Sequence, residues 1–161
     1  MNQLQFYKPT PKSTGAASSF WIKPDDKEGM TFWCSLIKQH SWDAKRRTGS
    51  FIENKDNKDK RVIIKFSDTE YAGIADAIDR NAEYTGYHGS QNQVVKYRFG
   101  PYLKQGEQVG FSLSVQKEDK EDSTNKQSYV IGFYFNEAKL LSLYLETALK
   151  QSFTMKRKEK S

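Results

Sequence analysis

With 161 residues and a formal charge of +6, the chain has room for one domain, and ten Phe, nine Tyr and three Trp can supply a sizeable core. A single cysteine, Cys34, excludes an internal disulfide and fits a reducing compartment. Mean hydropathy is -0.85, and no apolar run approaches the roughly 20 residues of a transmembrane helix, so no membrane span is expected. The basic balance favours an anionic partner such as nucleic acid or an acidic protein.

Residues 1–19 hold Pro9, Pro11 and Gly15 among Ser, Thr, Lys8 and Lys12, and read as a flexible N-terminal arm anchored by Phe6 and Tyr7. They lack the apolar stretch of a secretory signal. Residues 19–23 read as a first strand, with a charged turn through Asp25, Asp26, Lys27, Glu28 and Gly29. Strands follow at 31–39, 48–53 and 61–66, the last two separated by a solvated charged loop at 54–60. Ser67 is placed to cap a helix with Asp68 and Glu70 in its first turn and Tyr71, Ile74, Ala75 and Ile78 on its buried stripe. Residues 83–92, with Gly86 and Gly89, read as a linker.

The second half is more regular. Val95, Tyr97 and Phe99, then Phe111, Leu113 and Val115, then Tyr129, Ile131, Phe133 and Phe135 each recur with a period of two. An acidic hairpin loop occupies 118–125. Asn136 and Glu137 open a helix whose apolar side carries Leu140, Leu141, Leu143, Tyr144, Ala148 and Leu149. That side is larger than one small sheet needs, so Leu140, Leu143 and Tyr144 are expected to form an oligomer contact. Residues 154–161, with Lys156, Arg157, Lys158 and Lys160, read as a basic tail.

The halves resemble each other. Pro24 stands five residues before Gly29, and Pro101 five before Gly106. Each pair precedes a strand opening on Phe32 or Phe111, and each half ends on a Phe followed by a capped helix, with Ser67 and Asp68 matched to Asn136 and Glu137. The expected fold is α+β, a single domain over 20–153 made of duplicated antiparallel units, about 20–82 and 93–153, each closed by a helix.

If the apolar set of each strand faces inward, Trp21, Lys23, Trp33, Lys65, Lys96, Arg98 and Tyr134 face outward, an array of rings and cations suited to stacking bases and pairing phosphates. Lys38 follows on the second strand, and Trp42 with Lys45, Arg46 and Arg47 forms a loop of the same chemistry. A one-residue slip of register would turn Trp33 into the core, and Trp42 has the alternative of packing beneath a hairpin tip. Enzyme readings find little support. His40, His88 and Cys34 lack zinc-type spacing, and neither a Walker loop nor a nucleophile elbow is present. No catalytic group, cofactor or metal is expected.

The segments Val94-Val95-Lys96-Tyr97, Gly100-Pro101, Gly106, Phe111-Ser112-Leu113-Ser114-Val115-Gln116 and Asn136-Glu137-Ala138 resemble the Whirly family, similar in fold to positive-cofactor-type coactivators and Pur proteins. Ser41-Trp42-Asp43-Ala44-Lys45-Arg46-Arg47 looks like the Trp and basic turn before a Whirly strand. Glu83-Tyr84 and Tyr87-His88 extend the resemblance to roughly 20–150. It implies a tetramer that binds single-stranded DNA with little sequence preference in replication, recombination or repair. The Lys-Gly-Lys-Ala-Ala segment of plant Whirly proteins is absent, so a cytoplasmic or nucleoid setting is expected rather than an organellar one. An RNA-binding or transcription-regulating module on the same fold, and a protein-interaction domain with a basic face, stand as alternatives.

Overall fold

Alternation of apolar and polar side chains builds two antiparallel four-stranded sheets, each leading into one helix. The computed structural model describes residues 1–155. The cations from Lys156 onward, expected as a tail, lie outside the described residues. The first sheet contains β1 (Leu4–Lys8), β2 (Ala16–Asp25), β3 (Gly29–Lys38) and β6 (Arg61–Phe66), in that order. Between β3 and β6 the chain makes a small hairpin, β4 (Ser41–Asp43) and β5 (Thr48–Ser50), and one 3-10 turn, Ile52–Asn54. Helix α1 (Asp68–Arg80) follows. The second sheet takes β7 (Tyr84–Gly89), β8 (Gln93–Lys104), β9 (Glu107–Asp119) and β10 (Lys126–Tyr134), again in chain order, before α2 (Phe135–Ser152). No described helix is long and apolar enough to cross a membrane.

Each unit has a four-stranded sheet because two stretches expected to be irregular are edge strands, while the strand expected over 48–53 is reduced to 48–50 and pairs in the small hairpin instead. Residues 4–8, assigned to a flexible arm, pair with 16–20 of β2, and Phe6 is buried. Its ring meets Phe133 edge-on at 5.0 Å, an apolar anchor just ahead of the turn that holds Pro9 and Pro11. Residues 84–89, assigned to a linker, pair with 94–99 of β8. Gly86 is needed there, since a Cβ would lie 2.1 Å from the Tyr97 ring. Gly29 and Gly106, matched in the sequence, hold φ of 84° and 79° at the two hairpin turns, a region other residues seldom enter.

The helix caps correct the alignment of the halves. Ser67 caps α1, exchanging bonds with Glu70: its hydroxyl accepts the Glu70 N–H at 3.2 Å and its own N–H donates to the Glu70 carboxylate at 3.0 Å. The cap of α2 is Tyr134, not Asn136, because Glu137 accepts the Tyr134 N–H at 2.9 Å. Phe66 thus matches Phe133, and Glu70 matches Glu137.

One continuous core fills the space between the sheets and helices. The helices pack on each other, and β10 crosses over β2 and β3. Phe133 meets rings on β1 and β2, namely Phe6 and Phe20, while Phe66 meets Tyr97 on β8 at 5.0 Å and His88 on β7 at 6.3 Å. The carboxylates repeat this crossing. Glu137 of α2 bonds Lys8 of β1, and Glu70 of α1 bonds His88 of β7 and Tyr97 of β8. Each helix start is anchored on the strands of the other half.

Candidate nucleic-acid interface

Inward placement of Phe20, Phe32, Cys34, Leu36, Val62, Ile64 and Phe66 turns the alternate positions of the first sheet outward. Trp21 and Trp33 face each other across β2 and β3 on this outer side, as expected. Their rings are parallel to within 6°, with centroids 6.1 Å apart. The pair is held in place. Trp33 Nε1 donates to Thr31 Oγ1 at 2.9 Å, that hydroxyl donates to the Lys23 carbonyl at 2.8 Å, and the Lys65 ammonium lies 6.0 Å from the Trp33 ring.

Beside the indoles the outer face sinks into a groove of about 850 Å³. Its floor is made of small side chains, Ala17, Ser19 and Ser35, with Ile37. Tyr7 and Trp21 stand along it, and Gly49, Phe51 and Ile52 overhang it from the hairpin segment. Tyr7 is 59% exposed and its ring meets Phe51 at 6.0 Å. The volume is within the usual range for organic ligands and large enough for nucleobases. Phe51 and the small floor residues were not singled out in the sequence, and Tyr7 was read only as an anchor of the N-terminal arm. The alternation of Leu4 and Phe6 with Gln5 and Tyr7 was the available signal for Tyr7, whereas isolated Ala and Ser positions carry none.

The expected cations are distributed rather than gathered on one face. Lys23 is exposed on the first sheet, and Lys65 is paired with Glu28 at 2.7 Å. Lys96, Arg98 and Tyr134 belong to the second sheet, whose outer face has its own hollow of about 390 Å³ lined by Lys96, Arg98, Ser114, Gln116, Ser128 and Val130. Arg98 is paired with Glu83 at 2.6 Å, and Lys8 sits 4.4 Å from the Tyr134 ring. Lys45, Arg46 and Arg47 are exposed at the tip of the β4–β5 hairpin, whose turn is shaped by Asp43 accepting the Lys45 and Arg46 N–H groups at 3.0 and 3.1 Å. Trp42 is half-buried in β4 and does not line the groove. Lys38 has the parity of the core positions and turns away from the groove, over the Tyr129 ring at 4.9 Å. Gln39, the residue after β3, is buried, and its amide bonds Thr10, Gly15 and Ser41.

On α2, Leu140 and Leu143 are 50% and 49% exposed. Tyr144 differs, since it packs against the core and its hydroxyl donates to the Asn2 carbonyl at 2.9 Å, with burial raising its pKa to about 12. It serves the chain's own N-terminal segment.

Among solved structures, the chain superposes on WHY3 from Arabidopsis thaliana with a TM-score of 0.67 at 12% identity, covering 96% of this chain and 89% of that one. The fold is Whirly-like. The same Whirly-like arrangement is found in MRP1/MRP2 of Trypanosoma bruciei, with a TM-score of 0.63 at 13% identity over 94% of this chain and 86% of that one. No family model matches the sequence, and no curated protein matches it either. The Whirly-like architecture is thus retained at a level of identity where the residue matches between Trp, Lys and Arg positions carry no information of their own.

Proposed function

We propose that this chain binds single-stranded DNA with little sequence preference, stacking bases along the outer groove of the first sheet. The observation that carries the reading is the parallel Trp21 and Trp33 pair beside a groove floored by small residues, with Trp21 lining it. Flat rings held by a hydrogen-bonded frame offer a base a surface at little entropic cost, and every base has a face to stack. Lys23 and the hairpin cations Lys45, Arg46 and Arg47 are the groups proposed to pair phosphates near this groove. Lys96, Arg98 and Tyr134 offer a second contact surface on the other sheet. Strand protection during replication, recombination or repair is the role this chemistry serves best.

We further propose that α2 joins copies of the chain through Leu140 and Leu143, with a tetramer favoured by the Whirly-like fold. Both leucines are half exposed on a helix whose other face is already satisfied by the core.

The test is a fluorescence-anisotropy titration of a labelled oligothymidine, repeated with oligouridine and with duplex DNA, at several salt concentrations. Tight binding of oligothymidine, weaker binding of duplex and a fall in affinity with salt are expected. Preference for oligouridine would move the assignment to RNA. Absence of oligonucleotide binding at low salt would overturn it.

A further inference from the structure

The end of β3 approaches β10 at a seam between the two sheets. A third cavity, about 280 Å³, lies there against the turn between β1 and β2. It shares Ile37 with the groove of the first sheet, and Ser128, Tyr129 and Val130 with the hollow of the second.

Its electrostatics are unbalanced. The Lys38 N–H donates to the Lys60 carbonyl at 2.8 Å, which sets these two lysines side by side at the cavity wall. The Lys38 ammonium stands 4.9 Å from the Tyr129 ring and that of Lys117 stands 5.8 Å from it. Lys117 donates to the carbonyls of Lys58 and Arg61. Lys38 and Lys60 have no carboxylate within ion-pair distance among the described residues. Burial, and after it the charge of Lys60, pulls the Lys38 pKa down, and Asp59 is the carboxylate that opposes this. An ammonium has three donors, and Lys38 lines the cavity together with the hydroxyl residues Ser13, Thr14 and Ser128.

We infer that the seam is a phosphate-binding site, with Lys38 and Lys60 supplying the charge and the hydroxyl residues around them the further hydrogen bonds. A tetrahedral anion with several acceptor oxygens relieves the repulsion between the ammoniums and uses donors that the protein leaves open. Two sources carry this chemistry. One is a phosphate of a strand passing from one sheet to the other, which rests on the function proposed above; the other is free phosphate, which does not.

The experiment is an NMR titration of the lysine Nζ signals with sodium phosphate at constant ionic strength. It uses the full chain and its Lys38→Gln, Lys60→Gln and Lys139→Gln variants. Saturable shifts of Lys38 and Lys60 are expected in the parent and in Lys139→Gln, which removes a cation from the exposed side of α2. Both seam variants should lose saturation, and Lys60 is exposed, so its replacement leaves the fold intact. Shifts that grow linearly with phosphate, or that persist in both seam variants, would overturn the site. A parallel oligothymidine titration identifies the source. An affinity loss of about 3- to 10-fold in Lys38→Gln, with a shallower salt slope, assigns the site to a strand phosphate. Unchanged oligothymidine affinity with saturable phosphate binding assigns it to free phosphate. Failure of the parent to bind oligothymidine would remove the nucleic-acid reading and leave the phosphate arm standing.

Discussion

The buried hydroxyl of Tyr71 donates to the backbone carbonyl of Trp33 at 2.6 Å, with the Trp21 carbonyl 3.2 Å away. Helix α1 therefore grips, from inside the core, the two strand positions whose indoles stack on the outside. Burial drives the Tyr71 pKa well above the ordinary tyrosine range, so the hydroxyl stays a donor at any working pH. Tyr71→Phe keeps the ring and removes the donor. It is expected to cost about 1–2 kcal/mol in urea unfolding and to alter the near-ultraviolet dichroism of the indole pair. A variant matching the parent in both would show that the carbonyls do not depend on this hydroxyl.

Trp21 and Trp33 pack on each other, so their contributions to binding are expected to be coupled. Each single Ala substitution should weaken oligothymidine binding by about 1–3 kcal/mol. The double substitution should cost less than the sum, since removing either indole already frees the other from its parallel setting. A fully additive cycle by anisotropy would mean that the two rings act as separate platforms.

Glu70 gives the fold a dependence on acid. Burial works to raise its pKa, but hydrogen bonds from Tyr97, the Ser67 amide and His88 together outweigh burial and hold it below the usual glutamate range. A carboxyl with a depressed folded-state pKa stabilises fully above its unfolded value of about 4.3, and that contribution disappears as pH falls through the folded value. The Tm gap between the parent and Glu70→Gln should therefore be largest near pH 6 and should close toward pH 3. A gap of constant size across that range would place the role of Glu70 in packing rather than in charge.

Leu140→Glu with Leu143→Glu tests the exposed side of α2. Both positions are half exposed in the single chain, so the stability of an isolated copy should change by no more than about 0.5 kcal/mol each. Light scattering should show several chains per particle in the parent and one in the double variant. A parent that already scatters as a single chain would remove the oligomer from the proposal.

The period-two strands were legible because burial on one face writes itself into the sequence, as in Phe111, Leu113 and Val115 or Val62 and Ile64. The outward setting of Trp21 and Trp33 followed from the same rule. Strands β1 and β7 were hidden for a physical reason. Each lies at the edge of its sheet and has few inward positions; β7 carries Gly86 and Gly89, and β1 runs straight into a segment with Pro9 and Pro11. Gly86 looked like a breaker, yet it is glycine because Tyr97 occupies the space a side chain would take. The cap of α2 was misplaced for a related reason, since Asn136 has the better intrinsic preference, while the Glu137 bond to the Tyr134 N–H decides where the helix starts. Lys38 could not be placed from parity alone. Strand alternation sends it inward, and only the arrival of β10 shows that inward here means a seam and not the core.

The crossed anchors of Glu70 and Glu137 imply something about inheritance of the fold as well as its stability. A tandem copy of a self-sufficient unit can be cut apart, whereas here each half lends the other the strands on which its helix begins. Severing the backbone near residue 82, between α1 and β7, should yield two fragments that remain unstructured alone and recover the fold when mixed. The repeat is a pair of mutually completing pieces, in the way that two clasped hands are not two closed fists.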